Sequence, residues 1–353
     1  RFCKGKAVTE DTMEHRQLGR SGLRVSALSL GAMTFGETTK GFMKGVHSDD
    51  AEARRVFDAA LDAGIDTIDT ANGYSEGRSE ELLGQWTRGK RDRVVLATKC
   101  RFPTLGGTEP MHPNQSGLSR KSILWNCEQS LRRMQTDFID LYQVHMQDRS
   151  VPIDETLRAL DDLVRAGKVR YVGCSNYTGY RLTESLWTAE RLDVSRYESV
   201  QLLWNLVSRD AERELVPAAR TFGLGLMVWS PLGRGFLSGK YRKGQPPPPG
   251  TRLEAWKDSW AMTATDQNWR TLDAVQTVAQ RRETTPAAVA LAWLLAKQEV
   301  STVIVGARTV QQLQENLKAL SVTLTADDLK QLSEVSQPNW GYPYNFIGSR
   351  EPW

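Results

Sequence analysis

Eight strand-length apolar runs alternate with longer stretches of helical period along this chain, and no break in composition separates one part from another. The strand signals fall at residues 26–31, 67–70, 94–99, 139–145, 169–175, 199–205, 225–230 and 302–306. Helical periods occupy 49–64, 78–88, 119–135, 153–166, 180–190, 210–222, 268–282 and 310–320, with extra helices at 286–297 and 326–336. The runs are apolar at nearly every position, as strands covered on both faces must be, rather than alternating. Eight such units predict an α/β fold, a (β/α)8 TIM barrel in one domain over residues 13–353. A doubly wound dinucleotide-binding sheet would open with GxGxxG. The nearest candidate, Gly233-Arg234-Gly235, runs into Leu237 and Ser238 where a later glycine is needed.

Local signals agree with this layout. Residues 14–18 and 23–27 flank Gly19-Arg20-Ser21-Gly22, which predicts an N-terminal β-hairpin at the barrel floor. Ser48-Asp49-Asp50, Thr284-Thr285-Pro286 and Thr325-Ala326-Asp327-Asp328 each put a hydroxyl ahead of a helix, while Gly64 and Gly167 read as helix stops. Residues 102–117 and 243–260, interrupted by prolines and glycines, read as irregular loops shaping the mouth. Residues 1–12 carry no pattern and are expected to be a tag or upstream residues before Met13.

A formal charge of +4, spread along 353 residues, argues against nucleic-acid and membrane partners. No stretch approaches the length of a membrane span. Cys3, Cys100, Cys127 and Cys174 lie far apart with no CxxC pair and no histidine at zinc-like spacing, so reduced thiols and a cytoplasmic location are expected.

Four polar residues fall at or just after predicted strand ends: Asp69, Tyr74, Lys99 and His145. Singly, each is explained as a loop cap, a surface aromatic, a solvated charge or a satisfied polar group. Together they converge, because all four belong to the face where barrels of this kind carry their active sites. A lysine ending an apolar strand must also find a partner. A tyrosine with a pKa near ~10 is a poor acid at neutral pH, and a neighbouring cation lowers that value. The set therefore reads as an acid–base tyrosine tuned by a lysine, which a carboxylate holds.

Asp69-Thr70-Ala71 with Tyr74 and Gly77-Arg78-Ser79-Glu80, then Leu141-Tyr142-Gln143-Val144-His145, Gly173-Cys174-Ser175-Asn176 and Trp229-Ser230-Pro231-Leu232, resemble in order the signatures of the aldo-keto reductases, in the bacterial and potassium-channel-beta-like branch. The resemblance covers nearly the whole chain from Met13. It implies an NADP-dependent enzyme that reduces aldehydes or ketones. Tyr74 would be the general acid, Lys99 would lower its pKa, Asp69 would pair with Lys99, and His145 would orient the carbonyl. It also implies an NADPH/NADP+ site. Ser175, Asn176 and Gln201 would grip the carboxamide, and Trp229 would stack on the nicotinamide. Thr34, Phe35 and Asp69 would line the cofactor, with Ser230, Pro231, Leu232, Gly233, Arg234, Gly235 and Lys240 along the pyrophosphate. Gly306, Arg308, Gln312, Glu315 and Asn316 would hold the adenosine 2′-phosphate, although Gly306-Ala307-Arg308 replaces the Lys-Ser pair of many members.

Phe35, Phe102, Met146, Trp204 and Trp256 are candidate pocket residues for a small carbonyl or alcohol substrate. A homo-oligomer is compatible with this reading. The alternative is an NADPH-binding regulatory subunit with slow reductase activity, like the potassium-channel beta subunits. That group usually carries Asn where His145 stands. A carboxylate hydrolase would need an acidic mate for Asp69 at another strand end, and none is evident.

Overall fold

The computed structural model describes residues 13–38, 46–104 and 112–350. The segment 1–12, set apart in the sequence, and part of the loop 102–117 lie outside the described residues. The strands are β1 (His15–Gln17), β2 (Arg24–Ser26), β3 (Leu28–Gly31), β4 (Thr67–Asp69), β5 (Val95–Cys100), β6 (Ile139–Val144), β7 (Val169–Ser175), β8 (Tyr197–Leu203), β9 (Gly225–Trp229) and β10 (Val300–Val305). The last eight close a barrel in the order β10-β3-β4-β5-β6-β7-β8-β9, with every neighbouring pair parallel.

Between the strands run α1 (Asp50–Asp62), α2 (Arg78–Trp86), α3 (Arg120–Met134), α4 (Ile153–Arg165), α5 (Gly179–Leu192) and α6 (Leu215–Phe222). Four helices separate β9 from β10: α7 (Arg252–Ala255), α8 (Lys257–Thr263), α9 (Asp266–Arg281) and α10 (Pro286–Leu295). The last three are α11 (Val310–Leu317), α12 (Ala326–Val335) and α13 (Tyr344–Gly348). The (β/α)8 barrel read from the sequence is the fold, with most boundaries moved by a residue or two; the helical stretches 210–222 and 310–320 are each split, a 3-10 turn (Asp210–Glu212) preceding α6 and another (Lys318–Ser321) following α11. The stretch 243–260 is less irregular than expected, since α7 and the first part of α8 lie in it. The cap of α1 is also corrected: the carboxylate of Asp49, not the Ser48 hydroxyl, accepts the Glu52 N–H. Thr285 and Thr325 cap α10 and α12 as expected. Among the described residues no helix is long and apolar enough to cross a membrane.

The apolar side chains divide into two sets. A large one fills the space between the barrel and its helices. A smaller one, of Leu18, Val25, Ala97, Leu141, Met227 and Ile304, fills the barrel interior. Leu18 and Val25 come from the antiparallel β1–β2 hairpin, so this hairpin is a plug whose own side chains complete the interior packing. Side chains alternate along a strand. Two residues beyond interior Ala97 and Leu141 the same face therefore carries Lys99 and Gln143, and the interior turns from apolar to polar toward the strand ends.

The outward face of β5 is tied to the helices by a buried carboxylate. The Thr98 hydroxyl donates to Glu80 of α2 (2.5 Å), and Arg133 of α3 donates through Nε to its other oxygen (2.7 Å). Glu80 is wholly buried and Arg133 partly so. This network fixes the end of β5 beside Lys99. Glu80→Ala would strand the guanidinium and the hydroxyl, and should lower the unfolding free energy by about 2–4 kcal/mol in urea titration. A loss below about 1 kcal/mol would show that this network does not hold β5 to its helices.

Candidate active site

At the carboxyl ends of β4, β5 and β6 a lysine is wholly buried. Lys99 Nζ donates to Asp69 Oδ2 (2.6 Å), to the Thr70 carbonyl (2.8 Å) and to the Tyr74 hydroxyl (3.4 Å). Three acceptors match the three donors of an ammonium, so the charge is fully coordinated inside the barrel. Burial works against that charge, but Asp69 and Tyr74 outweigh it and raise the Lys99 pKa above its ordinary value. Asp69 accepts two further bonds on Oδ1, from the amides of Gln201 (2.8 Å) and Gln143 (3.1 Å).

Tyr74 opens a short 3-10 turn, Tyr74–Gly77, in which Ser75 and Glu76 are both left-handed (φ 46° and 59°). The Ser75 hydroxyl donates to the Gly36 carbonyl (2.9 Å), and Gly36 itself has φ 89°, with Arg78 where a Cβ would lie. Among the described residues, six of the nine non-glycine residues with positive φ, namely Ser75, Glu76, Arg101, Asn176, Ser230 and Arg234, follow barrel strands at this mouth. Three others, Gln135, Asp193 and Glu283, merely close helices. Strain is thus concentrated where side chains must be aimed rather than where the chain only turns.

One electrostatic expectation is corrected. Burial raises the Tyr74 pKa more than Lys99 lowers it, Asp69 adds to the rise, and the net value lies above the ordinary tyrosine value. The phenol therefore carries its proton at neutral pH. His145 shifts the other way: burial, then Lys99 and Arg101, push it well below the usual histidine range, so its imidazole is neutral. Its ring meets Tyr74 edge-on (centroids 5.8 Å apart) and Phe102 (5.0 Å), and its buried Nδ1 has no partner among the described residues. The four predicted residues do converge, as a protonated phenol, an ammonium, a carboxylate and a neutral imidazole.

The other predicted residues divide more unevenly. Ser175 and Trp229 end β7 and β9 and Asn176 follows β7 at the same mouth, while Gln201 lies inside β8, two residues before its end. Asn176 is left-handed, and its amide donates to the His145 carbonyl (2.9 Å) and to Ser175 Oγ (3.1 Å). The hydroxyl of Thr34 and the indole N–H of Trp229 are buried without partners among the described residues. Phe35 is a correction as an open pocket residue: its ring is wholly buried against Trp86 in the helix-side core. Trp204 is likewise core, edge-on to Trp293 and bonded through Nε1 to Glu212 (2.8 Å). Phe102 is at the site through His145. Met146 follows His145 directly and is partly exposed, and Trp256 lies under the Arg252 guanidinium (5.5 Å).

The turn after β9 spends its amides internally. Gly233 N–H donates to the Ser230 carbonyl (2.9 Å), Gly235 N–H to the Leu232 carbonyl (3.0 Å), and Arg234 N–H to Ser230 Oγ (3.1 Å). Pro231 has no N–H to offer, and Leu232 packs on the core. What this turn presents to an anion is therefore charge, from Arg234 and Lys240. Gly235 has Lys240 Nζ only 3.1 Å from where a Cβ would sit.

Beyond β10 the turn 306–308 is held by the Gln312 side chain, which accepts the Arg308 N–H (2.9 Å). Gly306 is open, with its nearest neighbour 4.0 Å from an added Cβ. Arg308 donates to the Gly250 carbonyl (3.0 Å). Glu315 pairs with Lys318 (2.7 Å), and Asn316 is buried on α11.

Sequence reasoning missed two residues. Arg252, on α7, sits with Arg308 and Arg234: burial, then Arg308, lower its pKa to about 10. Burial, Arg308 and Arg252 lower Lys240 in the same way. Among the described residues none of these four cations has a carboxylate partner. The neighbouring guanidinium groups disfavour the charges of Arg252 and Lys240, which makes this cluster an anion site by electrostatics. Nothing in the sequence separates Arg252 from Arg242 or Lys257 nearby. The second miss is Gln143, wholly buried inside β6. Among the described residues no cluster of His, Cys, Asp and Glu suits a metal ion. Cys100, Cys127 and Cys174 are buried free thiols, the first two pushed up to about 12, chiefly by burial.

Known proteins carry the same arrangement of sequence. The profile of the "Aldo/keto reductase family" matches residues 27–337. "Uncharacterized oxidoreductase YrpG" of Bacillus subtilis is 39% identical, over 92% of this chain and 96% of its own length. A "Probable voltage-gated potassium channel subunit beta" of Oryza sativa is 37% identical over 92% of this chain and 97% of its own. "Norsolorinic acid reductase" of Aspergillus flavus is 32% identical over 94% and 84%. The chain belongs to the aldo/keto reductase family, whose chemistry is nicotinamide-dependent oxidoreduction.

Proposed function

We propose that this protein is an NADPH-dependent reductase that converts aldehydes or ketones to alcohols. The observation that carries the proposal is the protonated Tyr74 hydroxyl within reach of a buried Lys99 ammonium, beside a neutral His145. The residues around the mouth fit a nicotinamide cofactor: open Gly306, the polar groups of Ser175, Asn176 and Gln201, and four cations that have no carboxylate partner among the described residues and suit phosphates. A bound NADPH supplies the hydride. Tyr74 donates its proton to the carbonyl oxygen, and the Lys99 ammonium stabilises the phenolate left behind. His145, neutral and aimed by Phe102 and Tyr74, hydrogen-bonds the same oxygen and orients the substrate. Asp69 holds Lys99 in place. Buried free thiols accord with a cytoplasmic setting.

A second reading is supported by relatives named as potassium-channel beta subunits. In it the chain binds NADPH and serves a partner, with slow turnover. Tight cofactor binding without turnover of a broad carbonyl panel would favour it.

Tyr74→Phe should lower carbonyl reduction by at least about 1,000-fold while leaving the NADPH dissociation constant within about twofold, as followed by tryptophan fluorescence. Substantial residual turnover would exclude Tyr74 as the acid. Arg308→Ala should weaken NADPH by about 10–100-fold and NADH by less than about threefold. Equal losses would remove Arg308 from the 2′-phosphate.

The pH dependence follows from the signs of the shifts. Reduction needs Tyr74 protonated, and its pKa is raised. His145 must stay neutral, and its pKa is lowered. Reduction at saturating cofactor should thus stay level between about pH 6.5 and 9 and fall only at higher pH, while alcohol oxidation climbs with pH. A reduction rate that halves between about pH 7 and 8 would contradict these assignments.

A further inference from the structure

Gln143 lies inside the barrel, wholly buried, on a strand whose other interior residues are apolar. A buried primary amide brings two donors and an acceptor that have to be satisfied. In register, Gln143 stands beside Lys99 of β5 and Gly173 of β7. A Cβ on Gly173 would lie 3.4 Å from Gln143 Cγ and 2.5 Å from Ser199 Oγ, so the absent side chain leaves the lane through which Gln143 crosses the barrel. Its Nε2 donates to Asp69 Oδ1 (3.1 Å), and its Oε1 accepts from Gln201 Nε2 (3.2 Å). Gln201 Nε2 also donates to Asp69 Oδ1 (2.8 Å).

These three bonds fix which way Gln201 faces. Its amide nitrogen has two hydrogens, and both are taken, one by Asp69 and one by Gln143. The carbonyl oxygen is the end left over, without a hydrogen bond among the described residues. We infer that Gln143 is a positioning residue: it locks Gln201 so that an acceptor, not a donor, is presented to the cofactor, and thereby selects a ring that carries a carboxamide N–H. The inference rests on the nicotinamide-dependent reading above. It also couples the two halves of the site, because the carboxylate that orients Gln201 is the one that holds Lys99.

The test compares NADP+ with its 3-acetylpyridine analogue, which replaces the carboxamide –NH2 by a methyl group and cannot donate. Dissociation constants would be measured by fluorescence for the wild-type protein and Gln143→Met, with adenosine 2′,5′-bisphosphate as a probe of the adenosine end alone. The wild-type protein should prefer NADP+ by about fivefold to tenfold, the worth of one hydrogen bond. In Gln143→Met that preference should fall below about twofold, with affinity for the bisphosphate unchanged. Gln143→Asn, one methylene short of both partners, is the second variant should the methionine protein not fold, and should lose preference in the same direction. An undiminished preference in either folded variant overturns the role of Gln143. A wild-type protein that binds both nucleotides equally overturns the presented carbonyl. Failure to bind either nucleotide or the bisphosphate would instead defeat the nicotinamide-dependent reading itself.

Discussion

The ion pair between Lys99 and Asp69 is the interaction on which the site is built. A lysine with no exposure, at the end of an apolar strand, is untenable alone, since desolvating an ammonium costs several kcal/mol. Closure of the barrel brings Asp69 from the adjacent strand to 2.6 Å, and the Thr70 carbonyl and Tyr74 hydroxyl complete the coordination. Removing any partner would leave a buried charge short of acceptors. The pair is therefore less a source of stability than a demand for one geometry, and meeting that demand places a phenol at a cation.

Around this pair the barrel interior is layered. Below, the hairpin residues Leu18 and Val25 pack with Ala97, Leu141, Met227 and Ile304, and exclude water from the floor. Above, Asp69, Lys99, Gln143 and Gln201 form a polar layer in which each charged or amide group has partners inside the layer. An apolar floor and an internally bonded polar layer together keep the local dielectric low. That explains why burial dominates the shifts of Tyr74 and His145, and why they go in opposite directions: burial favours the neutral form of both. The outcome is a proton donor that retains its proton and an imidazole that remains uncharged, which suits carbonyl reduction near neutral pH.

The rim has the opposite character. Arg234, Lys240, Arg252 and Arg308 gather there without carboxylate partners among the described residues, and the repulsion that Lys240 and Arg252 meet is tolerated because the loops bearing the neighbouring cations are anchored elsewhere. Gln312 holds the Arg308 turn, and Ser230 holds the Arg234 turn. An anion entering this rim relieves a repulsion already built in.

Much of this was legible in the chain alone. Strand-length apolar runs with helical stretches between them determine a parallel barrel, because strands covered on both faces must be apolar throughout, and alternation of interior and exterior side chains then places Asp69, Lys99 and His145 at one end of it. Spacing along the chain does not report direction across it. Phe35 and Trp204 share their loops' location with site residues, but their rings turn outward into the core. The sign of the Tyr74 shift, the grouping of Arg252 with Arg308, and the three-way lock of Gln143, Gln201 and Asp69 were decided only by the closed barrel. Each depends on burial or on contacts between residues far apart in sequence (Asp69 and Gln201 are 132 positions apart), and such contacts exist only once eight strands have met.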